Sequence, residues 1–237
     1  LNIKISKMSS FTTIFYSLLG GVLPALLWLW FWLREDRKRP EPRGRIATTF
    51  VFGMLAVILV LPIERIIFSW LGPNINAEIL VLWAITEEVL KFLAAYFVAI
   101  RSRDADEPVD FIIYMVTAAL GFSALENSFF LANSVSGGLI SQSIISGNMR
   151  FLGATLLHIV TSATVGAFMA ISFYKGMQTK KLALGAGIMF AIALHTIFNF
   201  FIINLGARVF FVFGTVWLFI IALILLFEKI KTIDPKN

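Results

Sequence analysis

The chain is predicted to be all-α, a polytopic transmembrane bundle of about seven spans, and three observations predict it. Mean hydropathy is +0.87. Residues of the AVILMFWYC set make up 59% of the 237 positions and charged residues only 14%, a balance that soluble domains do not show. Apolar runs of about 20 residues recur along the chain, each long enough to cross a hydrocarbon layer of ~30 Å.

The first run, 11–33, is longer than the apolar core of a signal peptide and ends in charges instead of a small-residue cleavage motif, so it reads as a span. The second, 46–70, contains Pro62, where a kink would bend the helix or open a water-filled cleft. Five more follow at 76–100, 109–133, 150–174, 182–204 and 209–227. The short turns LGPN (71–74) and NLGAR (204–208) predict antiparallel neighbours. The segment SVSGGLISQSIISGN, 134–148, is too polar and too rich in glycine to span; it reads as a surface loop, with a gate over a cavity as the other reading. No composition shift divides the chain, so 1–237 is expected to form one integral-membrane domain, with a functional core at about 46–204 and peripheral spans at 11–33 and 209–227. Trp28, Trp30 and Trp32, near a span end, read as an interfacial belt.

Lysine and arginine set the expected orientation. Fourteen lie on the side holding loops 34–45, 101–108 and 175–181 and the C-terminus, four lie on the other side, and Arg65 and Lys91 complete the 20. The positive-inside rule then puts the N-terminus outside and the C-terminus in the cytoplasm of a multi-pass cell-membrane protein. The basic stretch REDRKRPEPRGR at 34–45 is explained by anionic lipid, and no nucleic-acid partner is expected. The absence of cysteine excludes disulfides, cysteine-ligated zinc and a thiol nucleophile.

Chemistry is concentrated inside the apolar runs. The only two histidines, His158 in LGATLLHIVTSATVGAFMA and His195 in GIMFAIALHTIFNFF, lie deep within spans. Glu87, Glu88 and Lys91 lie in WAITEEVLKFL, and Glu126 and Asn127 in GFSALENSFFL. An ionisable group within the bilayer costs a few kcal/mol, so a cluster drawn from four spans reads as a site. At ~1.5 Å rise per residue, Glu87, Glu126, His158 and His195 lie roughly 16, 10, 12 and 13 Å below the outer ends of their spans, one common level in the outer half of the bilayer.

Helical spacing adds orientation. Ala154, His158, Ser162, Gly166 and Ala170 form one stripe, and Ala183, Gly187, Ala191, His195 and Asn199 another. Small-residue stripes let helix backbones approach, so both imidazoles are expected in helix interfaces, as a reactive pair or as packing hydrogen bonds. Lys91 is four residues from Glu87 and three from Glu88, able to hold either carboxylate ionised. Adjacent glutamates differ by ~100° around a helix, so one can face a cavity while the other anchors a neighbouring helix. Three glutamates against one lysine leave about two negative charges uncompensated, met by shared protons or by a divalent cation. A carboxylate and an imidazole on facing helices can activate water, and Asn199, one turn from His195, can donate to an oxyanion. Two histidines and a glutamate also make a zinc set with an open position, although no HExxH occurs. Ser123 and Ser162 sit in no nucleophile motif and read as packing residues. Glu64 and Arg65, next to Pro62, are expected to act structurally or in gating. The competing function is a cation- or proton-coupled transporter or channel built on the same buried charges, against which no inverted repeat is found.

Glu87-Glu88-Val89-Leu90-Lys91, Glu126-Asn127, His158 and the His195-x-x-x-Asn199 pair, in this order on successive spans over about half the chain, resemble the PrsW family of intramembrane proteases, relatives of the CAAX prenyl proteases. The resemblance implies that Glu87 is the catalytic base, that His158 holds the attacking water and that His195 with Asn199 stabilises the oxyanion. Glu88 would share protons or brace a helix, with Lys91, Glu126 and Asn127 in support. Lysine at 91 matches the PrsW form and speaks against a prenylated substrate. The implied partner is a membrane-anchored protein such as an anti-sigma factor, receiving a first cut. The wider family has been discussed as metallo- and as glutamic proteases, so the implied cofactor is either none or a divalent cation such as zinc, with Glu87, His158 and His195 as its candidate ligands.

Overall fold

A computed structural model describes residues 10–36, 39–72, 74–136, 153–204 and 209–233. Within them the chain forms seven α-helices and no strand: α1 (Ser10–Glu35), α2 (Arg43–Leu71), α3 (Ala77–Ala95), α4 (Pro108–Ser136), α5 (Thr155–Ile171), α6 (Met177–Asn204) and α7 (Val209–Ile230). Local signals account for the helix ends. Asn76 caps α3 by accepting from the backbone N–H of Ile79 at 2.9 Å. A π-turn, Tyr96–Ile100, closes the other end of α3. Pro108 opens α4, where its missing N–H costs nothing. Gly72, at φ 96°, ends α2 in a backbone conformation that a side chain would resist. Of the polar 134–148 segment, residues 134–136 continue α4, and 137–148 lie outside the described residues.

Five helices are long and apolar enough to cross a membrane: α1, α2, α4, α6 and α7. The predicted spans at 76–100 and 150–174 appear as the 19-residue α3 and the 17-residue α5. The first carries four charges, Glu78, Glu87, Glu88 and Lys91, and the second is short. Both pack among other helices, where protein replaces lipid as the surrounding medium and the demand for an unbroken apolar stretch relaxes.

The axis of the bundle is α4. It packs against α1, α2, α3 and α5, and its interior residues are almost entirely buried. A second layer closes around it, with α3 between α2 and α6, and α5 between α4, α6 and α7. The α2–α4 crossing depends on glycine: a Cβ at Gly53 would strike the Ala118 backbone, and one at Gly121 the Phe50 backbone. Peripheral α1 and α7 meet through Trp28 on Trp217, with ring centroids 6.1 Å apart, and Trp32 on Phe227 at 5.6 Å. The expected tryptophan belt is therefore reduced to Trp30, which is exposed, while Trp32 is buried in an aromatic seam. The basic 34–45 stretch is also partly consumed within the protein. Arg45 pairs with Asp104 at 2.6 Å and donates to the Val98 carbonyl, and Arg39 pairs with Glu107.

The two small-residue stripes pack at different interfaces. A Cβ on Gly166 would lie 2.7 Å from the Ile112 Cα, so this glycine sets the α5–α4 contact. One on Gly187 would lie 3.0 Å from the Phe168 Cβ and 3.2 Å from the Val165 Cα, so that stripe packs α6 on α5. Gly166→Leu is accordingly expected to cost at least ~1–3 kcal/mol, and more than Gly187→Leu, because the obstructing atoms at Gly166 are backbone. Thermal unfolding of the two purified variants checks the order; equal melting temperatures would mean that the α5–α4 contact is not tight.

Candidate active site

Four helices bring the predicted residues together. Glu87, Glu88 and Lys91 project from the middle of α3, His158 from the first turn of α5, His195 from the middle of α6, and Glu126 from α4. The first five are all buried, with Glu88 and Lys91 at zero exposure. Ring centroids of His158 and His195 lie 5.4 Å apart at an interplanar angle of 80°. Phe122 of α4 forms the floor, its ring 5.4 Å from that of His158 and 5.1 Å from Lys91 Nζ.

The 100° step between the two glutamates divides their surroundings. Glu88 faces the helix interfaces, where its Oε1 accepts from Lys91 Nζ at 2.6 Å and from His195 Nδ1 at 2.7 Å. This anchors α6 to α3. Glu87 faces the gap between the histidines: its Oε2 lies 3.9 Å from His158 Nδ1 and 3.8 Å from His195 Nε2, and has no hydrogen-bond partner although it is buried. An orphaned carboxylate oxygen in such a place marks a position built for another group.

The outer nitrogen of each histidine decides what the inner one presents. His195 Nδ1 donates to Glu88, and His158 Nε2 donates to Glu126 Oε2 at 3.1 Å. Both rings are thereby oriented with an unprotonated nitrogen on the side of Glu87, the pattern in which a carboxylate fixes a histidine's tautomer and raises its basicity. Lys91 Nζ also lies 3.0 Å from His158 Nδ1, so the ammonium joins Glu88 to the second histidine. Glu87, His158 and His195 each offer a ligand atom within 4.8 Å of the others, and the orphaned Glu87 oxygen with two imidazole nitrogens suits a borderline-soft divalent cation.

Other predicted residues take different places. Asn199 sits one turn beyond His195, half-buried, and makes no hydrogen bond among the described residues. Asn127 braces α4 on α5, its Nδ2 donating to Ser123 Oγ at 3.1 Å and Thr155 Oγ1 at 3.0 Å. Ser123 belongs to that brace, and Ser162 is buried one turn from His158.

Glu64, for which the sequence suggests a structural or gating role, joins the cluster. It turns from α2 towards Glu87 and Glu126, adding a fourth carboxylate to the cluster, while Arg65 points outward and forms no ion pair among the described residues. The available signal was depth: Glu64 is about 9 Å from the outer end of its span. Its helical face could not be assigned without knowing which neighbour α2 packs on. Glu64 and Glu126 are the partly exposed members of the cluster.

Residues 41–226 match the family model described as the PrsW family intramembrane metalloprotease. Curated relatives named Protease PrsW include those of Geobacillus kaustophilus, 24% identical over 188 residues covering 78% of each chain, and Clostridioides difficile, 26% identical over 186 residues covering 76% of each. The Protease PrsW of Oceanobacillus iheyensis is 27% identical over 183 residues, 76% of this chain and 80% of that one. No solved structure matches the chain.

Proposed function

The chain belongs to the PrsW family of intramembrane metalloproteases, and from that premise we propose that Glu87, His158 and His195 hydrolyse a peptide bond of a membrane-anchored protein. One observation carries the assignment of roles: both histidines are tied through one nitrogen to a carboxylate, and the other nitrogen of each faces the unpartnered Oε2 of Glu87. A water in that gap lies within reach of a base and of two imidazoles.

Glu87 takes the proton of the attacking water. Burial keeps competing solvent away from the carboxylate, and Lys91, through Glu88 and His158, places positive charge beside the developing negative charge. Negative charge forms on the peptide oxygen, where the Asn199 amide, or His195 once it is protonated on Nε2, serves as the donor. Glu87 then returns its proton to the leaving amine. Glu88 positions His195, and Glu126 positions His158; neither needs to touch the substrate. The residues that would hold a divalent cation are Glu87, His158 and His195, and the cation would supply Lewis-acid polarisation of the carbonyl and acidification of water. Lys91 then faces competition, because its hydrogen bond uses the same His158 nitrogen that points towards Glu87. Metal content of the purified chain, compared with that of His195→Ala, tests the ligand set: bound zinc in the wild type that persists undiminished in the variant would remove His195 from it.

The cluster lies near the ends of α2, α4 and α6 that connect on the less basic side, which the lysine and arginine distribution assigns to the outside. Cleavage is therefore expected near the extracytoplasmic juxtamembrane end of a single-span substrate, such as an anti-sigma factor receiving its first cut. The scissile segment must leave helical geometry to reach the water, so helix-breaking residues near the cut should accelerate cleavage. Mass-spectrometric mapping of the cut, with the purified protein in detergent and a single-span substrate, tests this. A cut on the cytoplasmic side would overturn the orientation. Ion flux without proteolysis would favour a transporter instead.

A further inference from the structure

At the other end of the bundle a second set of carboxylates converges. We propose that Asp36, Glu41 and Asp110 form a non-catalytic binding site for a hard divalent cation, Mg2+ or Mn2+, that clamps α1 and the α1–α2 connection to the start of α4.

The three side chains each place an oxygen within 4.8 Å of the others. Asp110 is 2% and Asp36 7% exposed, and the Asp36 Oδ2 is buried without a hydrogen-bond partner. Asp36 and Glu41 also line a cavity of about 510 Å³ whose other walls include Leu29, Ile46 and Phe50. A buried anion facing a cavity, without a donor to satisfy it, needs a ligand. Arg43 lines the same cavity and Lys231 stands near enough to act on Asp36, but neither donates a hydrogen bond to the Asp36 Oδ2. Arg39 pairs with Glu107, Arg45 with Asp104, and Lys231 with Glu228 and, at 3.9 Å, Glu35.

The supporting groups hold the carboxylates as ligands are usually held. Asp110 Oδ2 accepts the backbone N–H groups of Asp106 at 2.8 Å and Glu107 at 2.6 Å, and the Tyr114 hydroxyl donates to Glu41 Oε2. Glu41 and Asp110 also meet carboxyl to carboxyl, a contact that a cation would replace, and the Asp36 Oδ2 is the oxygen left without a partner. An all-oxygen set selects Mg2+, Mn2+ or Ca2+ over zinc or copper. The site is independent of the catalytic assignment: Asp110 and Glu126 are sixteen residues apart on α4, roughly 24 Å along the helix.

The test uses the full chain carrying His158→Ala and His195→Ala, stripped with chelator in detergent and titrated with Mn2+, reading free Mn2+ by electron paramagnetic resonance and unfolding by temperature. One Mn2+ per chain is expected, with the melting temperature raised by roughly 5 °C at saturation. Adding Asp36→Asn should weaken Mn2+ binding at least about tenfold without lowering the melting temperature of the stripped chain, because it removes an uncompensated charge. If the double-histidine chain does not fold, the same comparison is made in the wild type, where Asp36→Asn should remove one Mn2+ equivalent. Absence of Mn2+ binding would overturn the proposal, leaving shared protons to hold the carboxylates. So would Mn2+ binding that Asp36→Asn leaves unchanged.

Discussion

Glu87→Gln should abolish peptide hydrolysis while leaving the fold intact. The substitution keeps the size of the side chain and removes the group that takes the proton, so the loss should equal or exceed the ~10²–10⁴-fold contribution of a positioned general base. Its stability should be unchanged or higher. Glu87 Oε2 has no partner to lose, and neutralising it removes a buried charge that stands near Glu64 and Glu126. Cleavage of a single-span substrate and thermal unfolding, measured on the same preparation, check both halves. Retained cleavage with an unchanged melting temperature would take Glu87 out of the mechanism.

Lys91→Met should instead unfold the site. Lys91 and Glu88 are both fully buried, and the ammonium joins Glu88 to His158 across 2.6 and 3.0 Å. Removing one member of a buried pair leaves the other uncompensated and costs ~3–5 kcal/mol. A second substitution separates stability from function. In the double variant Lys91→Met, Glu88→Leu no buried charge is stranded, so much of the stability should return. Activity should not, because His195 Nδ1 has lost the carboxylate that orients it. Recovery of cleavage in the double variant would show that Glu88 serves packing alone.

The histidines give a further contrast, with His158→Ala and His195→Ala expected to lose activity at a modest cost in stability. Variants as unstable as Gly166→Leu would mean that the imidazoles chiefly hold helices together.

What the sequence by itself determined was the helical class, the approximate spans and the convergence of Glu87, Glu88, Lys91, Glu126, His158 and His195. These are local or nearly local properties. A backbone in lipid must satisfy its hydrogen bonds within each segment, so length and hydropathy mark the helices one at a time, and α2 runs over Arg43–Leu71 where 46–70 was expected. Depth along a helix is a linear count, which is why Glu87, Glu126, His158 and His195 could be placed at one level. Only the tertiary structure decided rotation and neighbours. It turned Glu64 into the cluster and Arg65 out of it, and gave Glu88 rather than Glu87 to Lys91. It took Asn127 into a brace, and brought Asp36 and Glu41 of the 34–45 loop together with Asp110 at the start of the 109–133 span. A side chain's partners depend on which helices are adjacent and how each is turned about its own axis. Both are set by packing across the bundle, through contacts such as those at Gly53, Gly121 and Gly166.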